Sequence, residues 1–446
     1  MNKLICATLT LLTYTTHFAQ KTPWPNYSVK VTRDAPKGYY FFQGIKIGGS
    51  VKPPCQMILD GQGAIVYFKV SDRGEWAGDF KLHPNGLMSY SSDQHHKAYL
   101  MDKDFNVVDS VGPKNGSNWD IHDFQILKNG HFLFLAFKIK TMDLSNYLLF
   151  NKKNTPGSDT AKVYISVIQE LNAHKNLVYQ WDSQNHYDLK DTDPYYLSKS
   201  TEADVAHLNS VQYYNNYILV SARNVNEVTK IKKSDSTVVW RMGGKRNQFK
   251  FTNDTTMFIG QHYAHYASDG NLILFDNGRE GSPPHPATAK EYKLNENTLE
   301  ATLVRSYVEN PKVFSNGYGS AERIGKHNLL ICYGRTDRSD VMFNVVNTSG
   351  AKLFEVTFED SLKSYRIFYF PSLPRKLKRP AIHKTRKDGK IYLRAPVDHA
   401  AYIWSTGETT RTIEAKEGQS YFVFVPIGSG GFISSLPVSI SARKKE

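Results

Sequence analysis

Cysteine is scarce: three in 446 residues, one of them inside an N-terminal apolar run, too few for a fold held by a disulfide framework. No later stretch approaches the eighteen or so apolar residues that a membrane-spanning helix needs. Helical periodicity is almost absent, which removes helical bundles and α/β folds from consideration. There is no G-x-x-x-x-G-K-[ST] loop; the nearest fragment, GGK at Gly243, lacks the helix that would complete a phosphate cradle. Negative charge is in short supply as well, with 42 acidic against 56 basic residues and a net charge of +14. Part of that excess sits in PRKLKRPAIHKTRKDGK (374–390), which reads as a solvated basic linker.

The first twenty residues, MNKLICATLTLLTYTTHFAQ, carry Lys3, an apolar run from Leu4 to about Tyr14, and a small residue, Ala19. This is the layout of a secretory signal over 1–19, cleaved after Ala19, and it predicts an exported protein, periplasmic or extracellular, without a membrane anchor. Export argues against a nucleic-acid partner, so the positive charge is read as a general attraction for anionic small molecules. The two cysteines left after cleavage, Cys55 and Cys332, form one bridge across the fold or remain two buried thiols; the sequence leaves both open.

What the sequence has in abundance is short apolar runs broken by Asn-Gly, Asp-Gly and Asn-Asn turns. Four segments align as strand, tight turn, strand: IHDFQILKNGHFLFLAFK from Ile121, AHLNSVQYYNNYILVSARN from Ala206, QHYAHYASDGNLILFDNGR from Gln261 and YGSAERIGKHNLLICYGRT from Tyr318. Each is followed by a second pair of runs, and Met57–Val70 and Gly86–Val111 look like degenerate copies. Four strands per repeat predict an all-β six-bladed β-propeller over 20–371. After a linker at 372–388, residues 389–446 read as a small immunoglobulin-like β-sandwich with a WSTGETT turn. No chemistry is assigned to that module.

The innermost strands of a propeller converge on one axial pocket, so residues at one repeat position meet in space. His122 and His262 each lie eight residues before their turn glycine, and His207 lies nine before Asn216. Asn209 is two residues on from His207, the offset that shares a strand face. Arg223 stands near the end of an otherwise apolar strand, where a cation calls for an anion. His95, His96, His131, His265 and His285 fall outside the shared position.

In order along the chain, the segments DIHDF, HLNS, VSARN with KIKKSDSTVVWRMGGK, QHYA with LFDNG, and SYR at Ser364 resemble those of the arylsulfate sulfotransferases, over about Tyr39 to Phe370. The resemblance implies an aryl sulfotransferase independent of the nucleotide donor PAPS. It places the nucleophile of the QH-x-A motif on His262 and surrounds the sulfuryl group with Arg223, His207, Asn209 and His122. Tyr263 stands where relatives often carry Thr or Asp. A ping-pong transfer from an aryl sulfate donor to a phenolic acceptor follows, through a sulfohistidine, with no cofactor and no metal. Two other readings stay open. One is a non-catalytic propeller that binds an anionic ligand or glycan; the other is a metal-dependent hydrolase using the converging histidines.

Overall fold

The computed structural model describes residues 12–15, 22–46, 53–71, 77–150, 155–278, 284–336, 338, 341–358 and 362–441. The leader read over 1–19 lies outside them except for Leu12–Thr15, a strand that pairs with Tyr27–Val31. Strands dominate, and the four helical segments among the described residues are single 3-10 turns.

Each hairpin expected from the sequence is an antiparallel pair, and each extends into a four-stranded meander. Asn118–Ile126 and Phe132–Met142 continue into Ala161–Leu171 and Leu177–Asp182. Leu208–Tyr214 and Tyr217–Ala222 continue into Glu227–Lys232 and Val238–Gly243. His262–Tyr266 and Leu272–Asp276 lead to Thr288–Asn295 and Glu300–Val308. Ser320–Ile324 and Asn328–Cys332 lead to Phe343–Val346 and Lys352–Phe358, with Tyr27–Val31 added from the far end of the chain. Earlier, Ala77–Leu82, Met88–Ser92, Lys97–Met101 and Val107–Val111 form a sheet of their own. Gly130 and Gly270, at φ of 78° and 85°, turn two of the hairpins as only glycine does without strain.

The remaining sheet is assembled from distant pieces. Leu362–Phe370 is its inner strand and pairs with Tyr39–Lys46, which leads to Cys55–Asp60 and Ile65–Val70. The first strands of the six sheets touch in cyclic order, and Leu362–Phe370 meets both Ser320–Ile324 and Ala77–Leu82, so the ring closes. Six apolar clusters lie between successive sheets. Ile168 and Trp181 face Val211 and Ile218, for example, and Trp240 and Met242 face Leu272 and Tyr292. Strands covered on both faces explain runs such as FLFLAF and YILV, where simple alternation would be expected of a half-exposed sheet.

Cys55 and Cys332 share the cluster that joins the last sheet to the first, but as two free, buried thiols, each pushed up to about 12 by burial.

At the C-terminus, Gly431–Ser434, Val423–Ile427 and Ile403–Trp404 extend the closing sheet beyond Ile65–Val70, with Phe432 opposite Phe68 and Ile433 opposite Tyr67. His383–Lys387, Lys390–Arg394 and Thr412–Ala415 form a second small sheet, and Trp404, Leu393, Ile413, Tyr421 and Val423 share one core. In the WSTGETT turn Trp404 Nε1 donates to Thr410 O at 2.8 Å. The basic stretch before this region is partly engaged. Arg379 donates from Nε to Ser434 O at 2.9 Å and from Nη2 to Ser434 Oγ at 2.6 Å, and pairs with Asp60 at 3.2 Å. One guanidinium thereby ties both sides of the junction together.

Candidate active site

The inner strands are irregular where they carry polar side chains. Register breaks fall between Trp119 and Phe124, between Leu208 and Ser210, between His262 and His265, between Gly78 and Lys81, and between Phe42 and Gly44 opposite Tyr365. A bulge leaves residues unpaired and re-aims their side chains, here into the ring centre. Asp79, His207, Tyr263 and Tyr318 also take left-handed φ of 62°, 50°, 53° and 61°. For non-glycine residues such backbones cost of order 1–3 kcal/mol each and cluster where function demands them.

His262 is buried at the start of its strand. Its Nδ1 lies 3.0 Å from Gly260 O and 2.7 Å from Asn277 Oδ1. The Asn277 amide is oriented by Nδ2, which donates to Tyr318 O at 3.0 Å and to Ser315 Oγ at 3.1 Å. Nδ1 therefore faces two acceptors and carries the proton, which leaves the lone pair on Nε2. Nε2 accepts from the Tyr318 backbone N–H at 3.1 Å. Burial, then the neighbouring Arg223 charge, holds this imidazole well below its usual range, so it is neutral at pH 7.

His122 and His207 lie together, with ring centroids 4.9 Å apart. Each donates from Nδ1 to a carboxylate of its own segment: His122 to Asp120, and His207 to Asp204 at 2.5 Å. Burial alone would raise the Asp120 carboxyl, but His122 outweighs it and holds the group below the usual range. The Tyr365 ring joins the cluster, 5.4 Å from His122, 6.3 Å from His262 and 5.3 Å from Tyr318. Arg223 reaches in from the end of its strand, donates to Asn316 O at 3.3 Å and stacks over Tyr196 at 4.2 Å.

The structure thus brings His122, His207, Arg223 and His262 to one place. Asn209 sits at its edge in a different capacity. The register break at its position defeats the period-two argument, and its Nδ2 donates to Gln261 O at 2.7 Å, beside His262. Asn277, Tyr318, Tyr365, Asp120 and Asp204 were not expected from repeat positions. Asn277 and Tyr365 lie inside the quoted LFDNG and SYR segments, whereas Tyr318 contributes through its backbone and leaves no residue-type signal.

Beside the cluster lies a second polar group on the same inner strands. Lys81 bridges Asp79 and Asp123 at 2.9 Å each, and Arg366 Nη1 lies 3.3 Å from Asp123. All four are buried. Asp79 Oδ2 accepts from Phe124 N and Asp123 Oδ2 from Val211 N, so each carboxylate pins the backbone of the next inner strand. His265 is held at about 4, chiefly by burial, with Nδ1 on Tyr263 O. Burial pushes Glu322 up to about 8.

Comparison with known proteins gives one family: the profile of Arylsulfotransferase (ASST) matches residues 29–369. None of the curated proteins compared matches. Solved structures similar over most of the chain include a protein of unknown function from Bacteroides caccae, with 11% identity, TM-score 0.45, 74% of this chain and 98% of that one. A catalytically inactive virginiamycin B lyase from Staphylococcus aureus with quinupristin has 10% identity and TM-score 0.36, over 82% and 97%. The β-propeller domain of a Myceliophteria thermophila protein has 9% identity and TM-score 0.37, over 83% and 96%. Likeness of this degree carries no argument about the site.

Proposed function

Because the chain belongs to the arylsulfotransferase family, we propose that it moves a sulfuryl group from an aryl sulfate ester to a phenolic acceptor in two steps, through a sulfohistidine at His262. The observation that carries this reading is the state of that imidazole: neutral, buried, protonated on Nδ1, with Nε2 presented beside Arg223 and two further histidines. Nε2 attacks sulfur as the aryl oxygen leaves, and the Tyr318 N–H that Nε2 now accepts is released to a sulfuryl oxygen. Arg223 and His207 hold the growing charge on the peripheral oxygens, where preorganised donors count most. His122 shares that clamp or protonates the departing phenolate. Asn209 acts at one remove, holding Gln261 O and with it the start of the nucleophile's strand. A phenol then attacks the sulfohistidine and regenerates the free enzyme.

On the same reading the six sheets are six propeller blades over 20–371, the C-terminal sheets are an immunoglobulin-like module over 389–446, and 1–19 is a cleaved leader that directs export. A metal-dependent hydrolase would need a set of ligands. Among the described residues no three His, Cys, Asp or Glu side chains are grouped to hold an ion.

Release of 4-nitrophenol from 4-nitrophenyl sulfate, with and without phenol, tests the reading. Phenol-stimulated release by the wild type that is lost in His262→Ala is expected. Release indifferent to phenol would make the protein a sulfatase, and binding of the sulfate ester without release would make it a ligand-binding propeller.

A further inference from the structure

Three histidines meet in this site, all with the Nδ1 proton directed at an acceptor, but the acceptors differ in kind. His122 and His207 face the carboxylates of Asp120 and Asp204. His262 faces an amide oxygen, Asn277 Oδ1 at 2.7 Å, and a peptide oxygen, Gly260 O at 3.0 Å. Neither of those groups can take up a proton. The amide is also not free to turn over, since Nδ2 donates to Tyr318 O and Ser315 Oγ, and Ser315 Oγ itself donates to Gly317 O.

This inference rests on the sulfohistidine reading. In the first half-reaction the Nε2–S bond forms, the S–O bond to the aryl group breaks, and phenolate leaves with the electron pair of that bond. The imidazole, still protonated on Nδ1, now carries a positive charge. Sulfonation withdraws electron density and makes the Nδ1–H a much stronger acid than in free imidazole. A carboxylate at that nitrogen would accept the proton and leave a neutral N-sulfoimidazole. The second half-reaction would then have to expel an imidazolate anion, a far poorer leaving group than neutral imidazole. With Asn277 the Nδ1 proton stays, the phenol oxygen attacks sulfur as its own proton passes to His122, the Nε2–S bond breaks, and neutral imidazole departs already in its resting tautomer.

We propose that Asn277 is a positioning residue whose amide, in contrast to the carboxylates behind His122 and His207, keeps the sulfated His262 cationic and so competent to pass its sulfuryl group to the acceptor. The carboxylates of Asp120 and Asp204 stand instead behind the two histidines that, on the same reading, face the sulfuryl oxygens. One constellation thus sets three like residues against two kinds of acceptor, carboxylate and amide.

The test uses the full-length wild type, Asn277→Asp and Asn277→Ala, mixed rapidly with 4-nitrophenyl sulfate and then chased with phenol. The wild type must first show phenol-stimulated release. If it does not, the function reading fails and takes this inference with it, before either variant is consulted. Given an active wild type, Asn277→Asp is expected to give a near-stoichiometric burst of 4-nitrophenol, while the phenol chase slows by about a hundredfold, the scale of a lost acid–base contribution. The slowing should diminish as pH falls and the introduced carboxyl is protonated. Equal slowing of burst and chase, or neither, would overturn the proposal. Asn277→Ala, which keeps Gly260 O and adds no base, is expected to slow both steps together. If Asn277→Asp does not fold, the alanine variant decides alone: an intact burst with a slowed chase there would overturn the proposal, because no base would be present to blame.

Discussion

His122 and Asp123 are adjacent on one inner strand, as are Tyr365 and Arg366 on another, yet the members of each pair belong to different groups. His122 and Tyr365 stand with His262, His207 and Arg223, a group in which His262 and Tyr365 are buried while His122, His207 and Arg223 keep part of their surface exposed. Asp123 and Arg366 stand with Asp79 and Lys81, sealed from solvent, with charges of both signs in equal number. On the proposed function, the first group meets an anion that arrives from outside. The second balances its own charge: its carboxylates accept from backbone N–H groups of neighbouring sheets, and its Arg366 also donates to Asn209 O. Polar residues on the inner strands therefore need not share one role: closure of the charge balance marks the second group as a strut.

That contrast can be broken from either side. Arg366→Met would leave Asp79 and Asp123 sharing Lys81 alone, and loss of one partner from a buried ionic group costs about 3–5 kcal/mol. Urea unfolding followed by fluorescence is expected to show a drop of that size, and an unchanged midpoint would mean that the group is not a strut. Arg223→Lys should do the reverse. The cation is kept but its planar fork is lost, and kcat/KM for 4-nitrophenyl sulfate is expected to fall by about a hundredfold with little change in Tm.

Glu322 gives the most graded effect. Its carboxyl is raised in the fold to about 8 from the ordinary 4.5. The folded state therefore binds a proton that the unfolded chain has released between those values, and this group's contribution to stability falls as pH rises across that window. Glu322→Gln, neutral at every pH, should stabilise the protein progressively from pH 5 to pH 8, by up to about 1.4 kcal/mol per pH unit. Equal effects at both ends would refute the raised carboxyl.

The hairpins were legible because each is local: apolar runs of strand length flank a turn whose Asn, Asp or Gly residues favour reversal, and no distant information is needed. The histidine cluster was legible for a related reason, since repetition turns sequence offset into spatial coincidence. Reading failed where position depends on something outside the repeat. Nothing in SYR says that residues 362–370 travel back to pair with Tyr39–Lys46, and nothing in the spacing of His207 and Asn209 announces the break in register between them. Asn277 lies at the outgoing end of the second strand of its hairpin, and its part emerges only when Tyr318 and Ser315 arrive from the next sheet to fix its amide. The hold of Arg379 across the C-terminal junction was hidden by composition, because a run of cations reads as solvated until one of them is seen to be engaged.

The closing sheet is stitched from residues 39–46, 55–60, 65–70, 362–370 and 431–434. Its first two hairpin strands are among the earliest made on the ribosome, and its inner strand is the last of the ring to appear. Until then Tyr39–Lys46 has an open edge on the channel side, and Ile65–Val70 has another facing outward until the C-terminal hairpin arrives. Until residues 362–370 emerge the chain thus exposes two places where a foreign strand could pair, and until residues 431–434 follow it exposes one. The order of synthesis makes this a protein whose first piece waits for its last. Keeping those edges from foreign strands until residues 362–370 emerge is thus part of what closing this ring requires.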